Sequence, residues 1–194
     1  MRTDAYLWCL LALGLCGCAT EHRNTADLLP PISGSQIAVN TRNNAYSLLY
    51  ELLSEEKDVS KILLIKHEGK ELNRFIKEVA NTSADAAAQL KRFQEKDGSL
   101  DLAATLLPPG EAATRDAIAK TKTKALLGSS GFAFERAMLL TQIEALSYGS
   151  HLAKVSATHE ADPARSEYLE SLSQTLNRYY LEAIELLPAD VRSR

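Results

Sequence analysis

The feature that most constrains the fold is an apolar stripe at helical spacing in the middle of the chain. Apolar side chains recur there every three or four positions, in phase with Ser83, at Leu72, Phe75, Ile76, Val79, Ala86, Ala87, Leu90 and Phe93. This spacing is that of one helix face, and it keeps one phase for about six turns. We therefore predict a long helix that ends near Gly98, because glycine commonly follows a helix C-terminus.

A further helix is predicted before this stripe. Thr41 is a candidate N-cap, and the leucines that follow it, Leu48, Leu49, Leu52 and Leu53, keep the same three-or-four spacing. The polar stretch SEEKDVSK predicts that the helix breaks or bends near Asp58.

Three helices are predicted in the second half of the chain. After Pro108-Pro109, an Ala- and Thr-rich helix runs from about 111 to 127, and GSSG separates it from a helix over 132–157. The last helix starts at Asp162-Pro163 and closes at Pro188. Aspartate is a common N-cap, and proline at the first helical position loses no hydrogen bond.

These helices predict an all-α fold, since no segment alternates between apolar and polar residues with period two. A single amphipathic helix cannot bury its stripe alone, so we expect an antiparallel bundle of four to five helices. The strongest pairing should be a hairpin from Phe132 to Leu187. A chain of this length buries enough surface to fold without disulfides.

The N-terminus is typical of a secretory signal. Residues 5–17, AYLWCLLALGLCG, carry no charge and follow Arg2. The run is too short for a membrane-spanning helix, which needs about 20 apolar residues. A short apolar stretch that ends in a small residue is the pattern of a cleaved export signal.

Leu15-Cys16-Gly17-Cys18 resembles the bacterial lipobox. The resemblance implies that Cys18 becomes the first mature residue and carries a diacylglycerol and an N-acyl chain. Two or three acyl chains anchor a protein stably, whereas one binds only marginally. The alternatives are an ordinary cleaved signal and a Cys-x-Cys metal site.

The predicted organisation is therefore a signal peptide over 1–17, a lipidated cysteine with a flexible tether over 18–36, and the helical bundle over 37–194. Ala19 is not the aspartate that retains such lipoproteins at the inner membrane, so a periplasm-facing anchor in the outer membrane is expected.

Cys9 and Cys16 are removed with the signal peptide, so no disulfide or cysteine nucleophile is predicted in the mature chain.

The charge excludes some partner classes. The formal net charge is −3, and the densest cationic stretch has three lysines between Lys120 and Lys124. No nucleic-acid surface is therefore expected. The expected partners are the membrane, through the lipid anchor, and another protein or a second copy of the chain.

Three polar residues on the helix over 132–157 form a candidate ligand site. Glu144, Tyr148 and His151 lie at i, i+4 and i+7, next to Thr141, on a face expected to point into the core. The functional interpretation is a small binding or acid–base site with His151 as proton carrier. The alternative is a structural network in which Glu144 pairs with a basic residue of a neighbouring helix.

Metal and catalytic motifs were sought and not found in the sequence. The Glu-x-x-His pair of di-iron bundles does not occur, since no glutamate lies three residues before His67, His151 or His159. No nucleophile elbow, phosphate-binding glycine loop or His-Glu-x-x-His motif occurs either. The sequence thus predicts neither a metal nor a cofactor nor an enzyme.

Residues 72–187 resemble a bacterial family of ferritin-like four-helix exported proteins, itself a domain of unknown function. The similar parts are LNRFIKEVANTSADAAAQLKRFQEKDGSL, SGFAFERAMLLTQIEAL and EADPARSEYLESL. The resemblance implies a ferritin-like bundle and an exported location. The family often has an Asp-His pair and a further His on two helices. The corresponding places here are Asn81-Thr82-Ser83 and Ala145-Leu146-Ser147.

Two functions follow from these patterns. The first is a non-enzymatic envelope lipoprotein that binds a partner through its helix faces or its Pro108-Pro109 end. The second is a metal- or small-ligand-binding bundle centred on Glu144, Tyr148 and His151, with His67 as a further candidate.

Overall fold

The computed structural model describes residues 34–64, 66, 69–103 and 107–188. The predicted signal peptide over 1–17, Cys18 and His67 lie outside these residues. All regular elements in the described residues are helices, which confirms the all-α prediction.

Five α-helices and one short 3₁₀ helix follow one another in the described residues. They are α1 (Gly34–Glu56), the 3₁₀ helix (Val59–Leu64), α2 (Lys70–Lys96), α3 (Pro109–Gly128), α4 (Gly131–Thr158) and α5 (Pro163–Leu186). The breaks predicted near Asp58, at Gly98 and at GSSG are all present. No helix in the described part of the chain is long and apolar enough to cross a bilayer.

The predicted N-cap of the first helix is wrong. The helix begins at Gly34 rather than Thr41, and three residues assigned to the tether are therefore helical. Thr41 lies inside α1, where its hydroxyl donates a hydrogen bond to the Ile37 carbonyl at 2.9 Å. A threonine can satisfy its hydroxyl on the preceding turn, so a capping residue type does not by itself mark a helix start.

The predicted start of the last helix is confirmed. The Asp162 carboxylate accepts a hydrogen bond from the Arg165 backbone N–H at 3.0 Å, and Pro163 is the first helical residue. Proline also opens α3, at Pro109. Both helices thus begin where the chain has no backbone N–H to leave unpaired.

The central element is α4, which packs on α1, α3 and α5. Its packing on α5 is the most extensive among the described helices, as predicted for the hairpin. Ser173 and Ser166 of α5 donate hydrogen bonds to the carbonyls of Ser150 and Ala157, so the two helices run antiparallel. The ferritin-like arrangement of the whole bundle stays a prediction.

A glycine permits this close packing. A Cβ atom at Gly149 would lie 2.8 Å from Leu52 Cδ2 of α1 and 3.3 Å from Leu176 Cδ1 of α5. The absence of a side chain at this position therefore lets α1 and α5 approach the same point of α4.

The stripe of α2 faces the core as predicted. All of its members from Leu72 to Leu90 are buried, and Phe93 is partly buried. Phe75 packs edge-to-face on Tyr179 of α5, with ring centroids 6.2 Å apart. Phe93 packs in the same way on Tyr168, at 5.4 Å. Aromatic pairs of this geometry add stability beyond their buried area.

A buried polar cluster, which we call the Glu160 clamp, joins four segments at one end of the bundle. The Glu160 carboxylate, whose side chain is fully buried, accepts a hydrogen bond from the Tyr46 hydroxyl at 2.7 Å and one from Arg165 at 2.8 Å. Arg165 also pairs with Asp97 at 2.9 Å. The clamp therefore connects α1, the end of α2, the α4–α5 loop and α5.

The clamp holds its carboxylates ionised. Burial by itself raises the pKa of Glu160, but hydrogen bonds from Arg165, the Asp162 backbone and Tyr46 outweigh it, so the pKa is lowered. Hydrogen bonds from Ser99 and the charge of Arg165 likewise lower the pKa of Asp97. A carboxyl with a lowered folded-state pKa stabilises the fold above its ordinary pKa, and this stability is lost as the pH falls through the lowered value.

We predict that Glu160→Gln destabilises the protein by about 3 kcal/mol at pH 7, because it leaves the partly buried Arg165 with one partner charge fewer. Urea denaturation at pH 7 and pH 4 measures the effect. The stability of the unsubstituted protein should fall more steeply between these pH values than that of the variant.

Glu78→Gln is the matched control. Glu78 pairs with Arg74 on the surface at 2.9 Å, and its side chain is 43% exposed. Its loss should cost about 0.5 kcal/mol at most. An equal effect of the two substitutions would contradict the structural role of the clamp.

Candidate functional site

The least buried helix is α3. Leu126 is its only buried residue, and Ile118 and Leu127 are about half exposed. Polar contacts hold its end, where Lys66 donates hydrogen bonds to the carbonyls of Leu127 at 2.9 Å and Ser129 at 2.6 Å. A cation at a helix C-terminus also interacts favourably with the helix dipole. The helix is thus attached largely through its polar side chains and its C-terminal end.

A groove of about 420 Å³ lies between α3, α1 and α4. We call it the α3 groove. Its apolar wall consists of Leu52, Ile118, Ala119, Leu126 and Ala145. An adjoining hollow of about 260 Å³ shares Leu52, Arg115 and Tyr148 with it. An apolar concavity with a few convergent polar groups is the usual form of a ligand site.

Two of the three predicted site residues line this groove. Tyr148 accepts a hydrogen bond from Arg115 of α3 at 2.8 Å, and the same guanidinium lies 5.2 Å from the tyrosine ring centroid. Glu144 forms an ion pair with Lys122 of α3. The ion pair with Lys122 agrees with the alternative interpretation, in which Glu144 pairs with a basic residue of a neighbouring helix.

The third residue, His151, is exposed and does not line the groove. Its Nδ1 lies 2.8 Å from the Ser147 carbonyl. A carbonyl only accepts hydrogen bonds, so Nδ1 carries the proton in this contact. The structure thus brings Glu144 and Tyr148 to one groove and leaves His151 on the surface.

The prediction that these three residues face the core is wrong. The buried side of α4 is centred elsewhere, on Met138, Gln142, Leu146, Gly149 and Ala153. Apolar side chains also occupy exposed positions of α4, at Phe132, Leu140 and Val155. A single stripe therefore did not define its buried face.

A pair that the sequence analysis missed lies beside the groove. Gln142 is fully buried, and its Nε2 donates a hydrogen bond to a carboxylate oxygen of Glu56 at 2.9 Å. Glu56 is the last residue of α1 and lines the α3 groove. The spacing contained a signal for Gln142, since it lies four residues from both Met138 and Leu146. Glu56 gave none, because it lies in a polar run typical of a solvated helix end.

The environment of Glu56 favours its neutral form. Burial raises its pKa from the ordinary 4.5 to about 7; the hydrogen bond from Gln142 lowers it less, and the charge of Glu55 raises it further. The pKa of Glu55 is also raised, by burial and by the charge of Glu51. A carboxyl that titrates near neutral pH in a groove is typical of a functional site.

Among the described residues, no group of three or more His, Cys, Asp and Glu side chains is placed to hold a metal ion. His67, the further candidate from the sequence, lies outside the described residues.

We predict that Glu56→Gln stabilises the protein at pH 8 and has little effect at pH 4.5. A raised folded-state pKa means that the penalty of a buried charge appears as the pH rises through about 7. The shift corresponds to about 3 kcal/mol at pH 8. Thermal denaturation at the two pH values measures it.

Glu95→Gln, on the exposed side of α2, is the control for a change of net charge alone. A Glu56→Gln variant that melts like the Glu95→Gln variant at pH 8 would contradict the burial of an uncompensated charge at Glu56.

Comparison with known proteins gives this chain no relatives: no protein family, curated protein or solved structure matches it. The resemblance to ferritin-like exported proteins therefore stays a prediction, and the candidate site stands on its own geometry.

Proposed function

We propose that this protein is a bacterial envelope lipoprotein whose helical bundle is a non-enzymatic binding module, with the α3 groove as its contact surface. The lipid on Cys18 holds it on the membrane, in the outer membrane where the host has one, facing the periplasm. The observation that carries the binding role is the groove itself, an apolar wall rimmed by charged side chains under a weakly buried helix.

The way α3 is attached supports this role. Its ion pair with α4, between Lys122 and Glu144, involves partly exposed side chains. Such pairs contribute about 0–1 kcal/mol each. The groove can therefore adjust to a ligand through small movements of α3, while Leu126 keeps this helix on the core.

The tether supports a location close to the membrane. Because α1 begins at Gly34, the proposed tether is shortened to 19–33, and as a flexible coil it would span about 20 Å. The bundle then reaches ligands and partners at the membrane surface, where the lipid anchor concentrates it.

We predict that Cys18→Ala abolishes labelling with radioactive palmitate and releases the protein from the membrane fraction. The thiol of Cys18 is the proposed attachment point of the lipid. Cys16→Ser is the matched control and should keep both properties, because serine is a usual residue at that lipobox position. Unchanged labelling of the Cys18→Ala protein would contradict the anchor.

The groove is tested by photo-crosslinking in intact cells. A photoreactive amino acid at Ile118, which lines the groove and is 48% exposed, should give a defined mass increase on the peptide that contains it. The same amino acid at Glu95, on the exposed side of α2, is the control. Equal adducts at the two positions, or none at Ile118, would contradict the binding role of the groove.

A further inference from the structure

The α3 groove has carboxylates without matching cations. Its two cations are already engaged, Arg115 by Glu111 and Tyr148 and Lys122 by Glu144. Two further carboxylates, Glu55 and Glu56, line the groove, and neither forms an ion pair in the part of the chain that the structure describes. The groove therefore has an excess of negative charge.

Gln142 has an unpaired acceptor next to Glu56, outside the lining of the groove. This side chain is fully buried and reaches Glu56 through its Nε2 atom. Its Oε1 atom is buried and has no hydrogen-bond partner among the described residues. Buried polar atoms are nearly always paired, so an unpaired acceptor beside an uncompensated carboxylate indicates a missing donor.

The wall opposite these acceptors is apolar. Leu52, Ala119, Leu126 and Ala145 form it together with the exposed side of Ile118. A volume of about 420 Å³ is in the lower part of the range for small-molecule sites. It accommodates one ring or a short alkyl chain.

We propose that the α3 groove binds a small amphipathic organic cation, a primary ammonium group on an apolar body, with the ammonium beside Glu55 and Glu56 and the body against the apolar wall. This names the ligand class of the same groove and thus rests on the proposed function.

The chemistry distinguishes this ligand from others of similar size. A primary ammonium offers three hydrogen-bond donors and no acceptor. The carboxylates of Glu55 and Glu56, which both line the groove, supply acceptors for them. An anion of the same shape would meet uncompensated carboxylates, and a neutral ligand would leave the Glu56 charge unpaired.

The test uses the full chain purified from membranes in a non-ionic maltoside detergent, with phenethylammonium chloride as the probe. Isothermal titration calorimetry should show saturable binding with one site per chain, after subtraction of a detergent-only titration. Phenethyl alcohol and 3-phenylpropionate keep the ring and replace the ammonium by a hydroxyl or a carboxylate. Both should bind at least about tenfold more weakly, since a hydrogen bond to a charged group is worth that much.

The Glu56→Gln variant should also bind phenethylammonium about tenfold more weakly, for the same reason. The Glu95→Gln variant should bind like the unsubstituted protein. Glu56→Gln is expected to be stabilising, so its loss of affinity cannot come from unfolding, and thermal denaturation of the same samples verifies this.

The pH dependence provides a second readout. The titratable and charged groups that line the groove with Glu56 are Glu55 on α1, Arg115 and Lys122 on α3, and Glu144 and Tyr148 on α4. Burial raises the pKa of Glu56 to about 7, and a bound cation lowers it again. Binding should therefore release a proton at pH 6, and affinity should fall about tenfold from pH 8 to pH 6. Titrations in two buffers of different ionisation enthalpy measure the proton release.

Two outcomes would overturn the proposal: phenethyl alcohol binding as tightly as phenethylammonium, or unchanged affinity in the Glu56→Gln variant. An adduct at Ile118 in cells without amine binding would sink the ligand class and leave the groove as a binding surface. Amine binding without an adduct at Ile118 or an anchor at Cys18 would support the ligand class and contradict the proposed function.

Discussion

The bundle depends on the burial of one carboxylate, that of Glu160. A buried charge is tolerated only when its oxygens are fully paired, and here the partners come from α1 and α5, with Arg165 joining the end of α2. The parts of these segments that contact Glu160 and Arg165 must therefore lie at the same height along the bundle. The apolar stripes stabilise the packing of the helices but do not fix their positions along the bundle axis. The Glu160 clamp fixes these positions.

Glu56 has fewer hydrogen-bond donors than Glu160, and this difference explains why the α3 groove, and not the clamp, is the candidate site. Glu160 has three hydrogen-bond donors, which together keep its pKa low. Within the described residues, the Glu56 carboxylate accepts one hydrogen bond, from Gln142, and burial raises its pKa to about 7. A carboxylate whose oxygens are fully hydrogen-bonded has a structural role and has no acceptor left for a ligand. A carboxylate with unpaired oxygens beside an open groove can still accept hydrogen bonds from a bound cation.

The helices themselves were largely predictable, because their signals are local. The stripe of α2, the breaks near Asp58 and at Gly98, and the Asp162-Pro163 start all depend on residues within one or two turns. The start of α1 was not predictable in this way, since Thr41 satisfies its hydroxyl inside the helix and so imitates a cap. The site was half predictable. Glu144 and Tyr148 do share a groove, but the carboxylate that distinguishes it belongs to a different helix.

The sequence by itself determined the fold class, the helix ends that contain proline, glycine or a capping aspartate, and the pattern from which an N-terminal anchor is proposed. Each of these depends on backbone geometry or on a short motif. Only the tertiary structure decided which side of α4 is buried, which carboxylate is paired and which is left over. Those properties arise from the number of neighbours that a helix contacts, and residues as far apart as Glu56 and Gln142 meet only when the chain is folded.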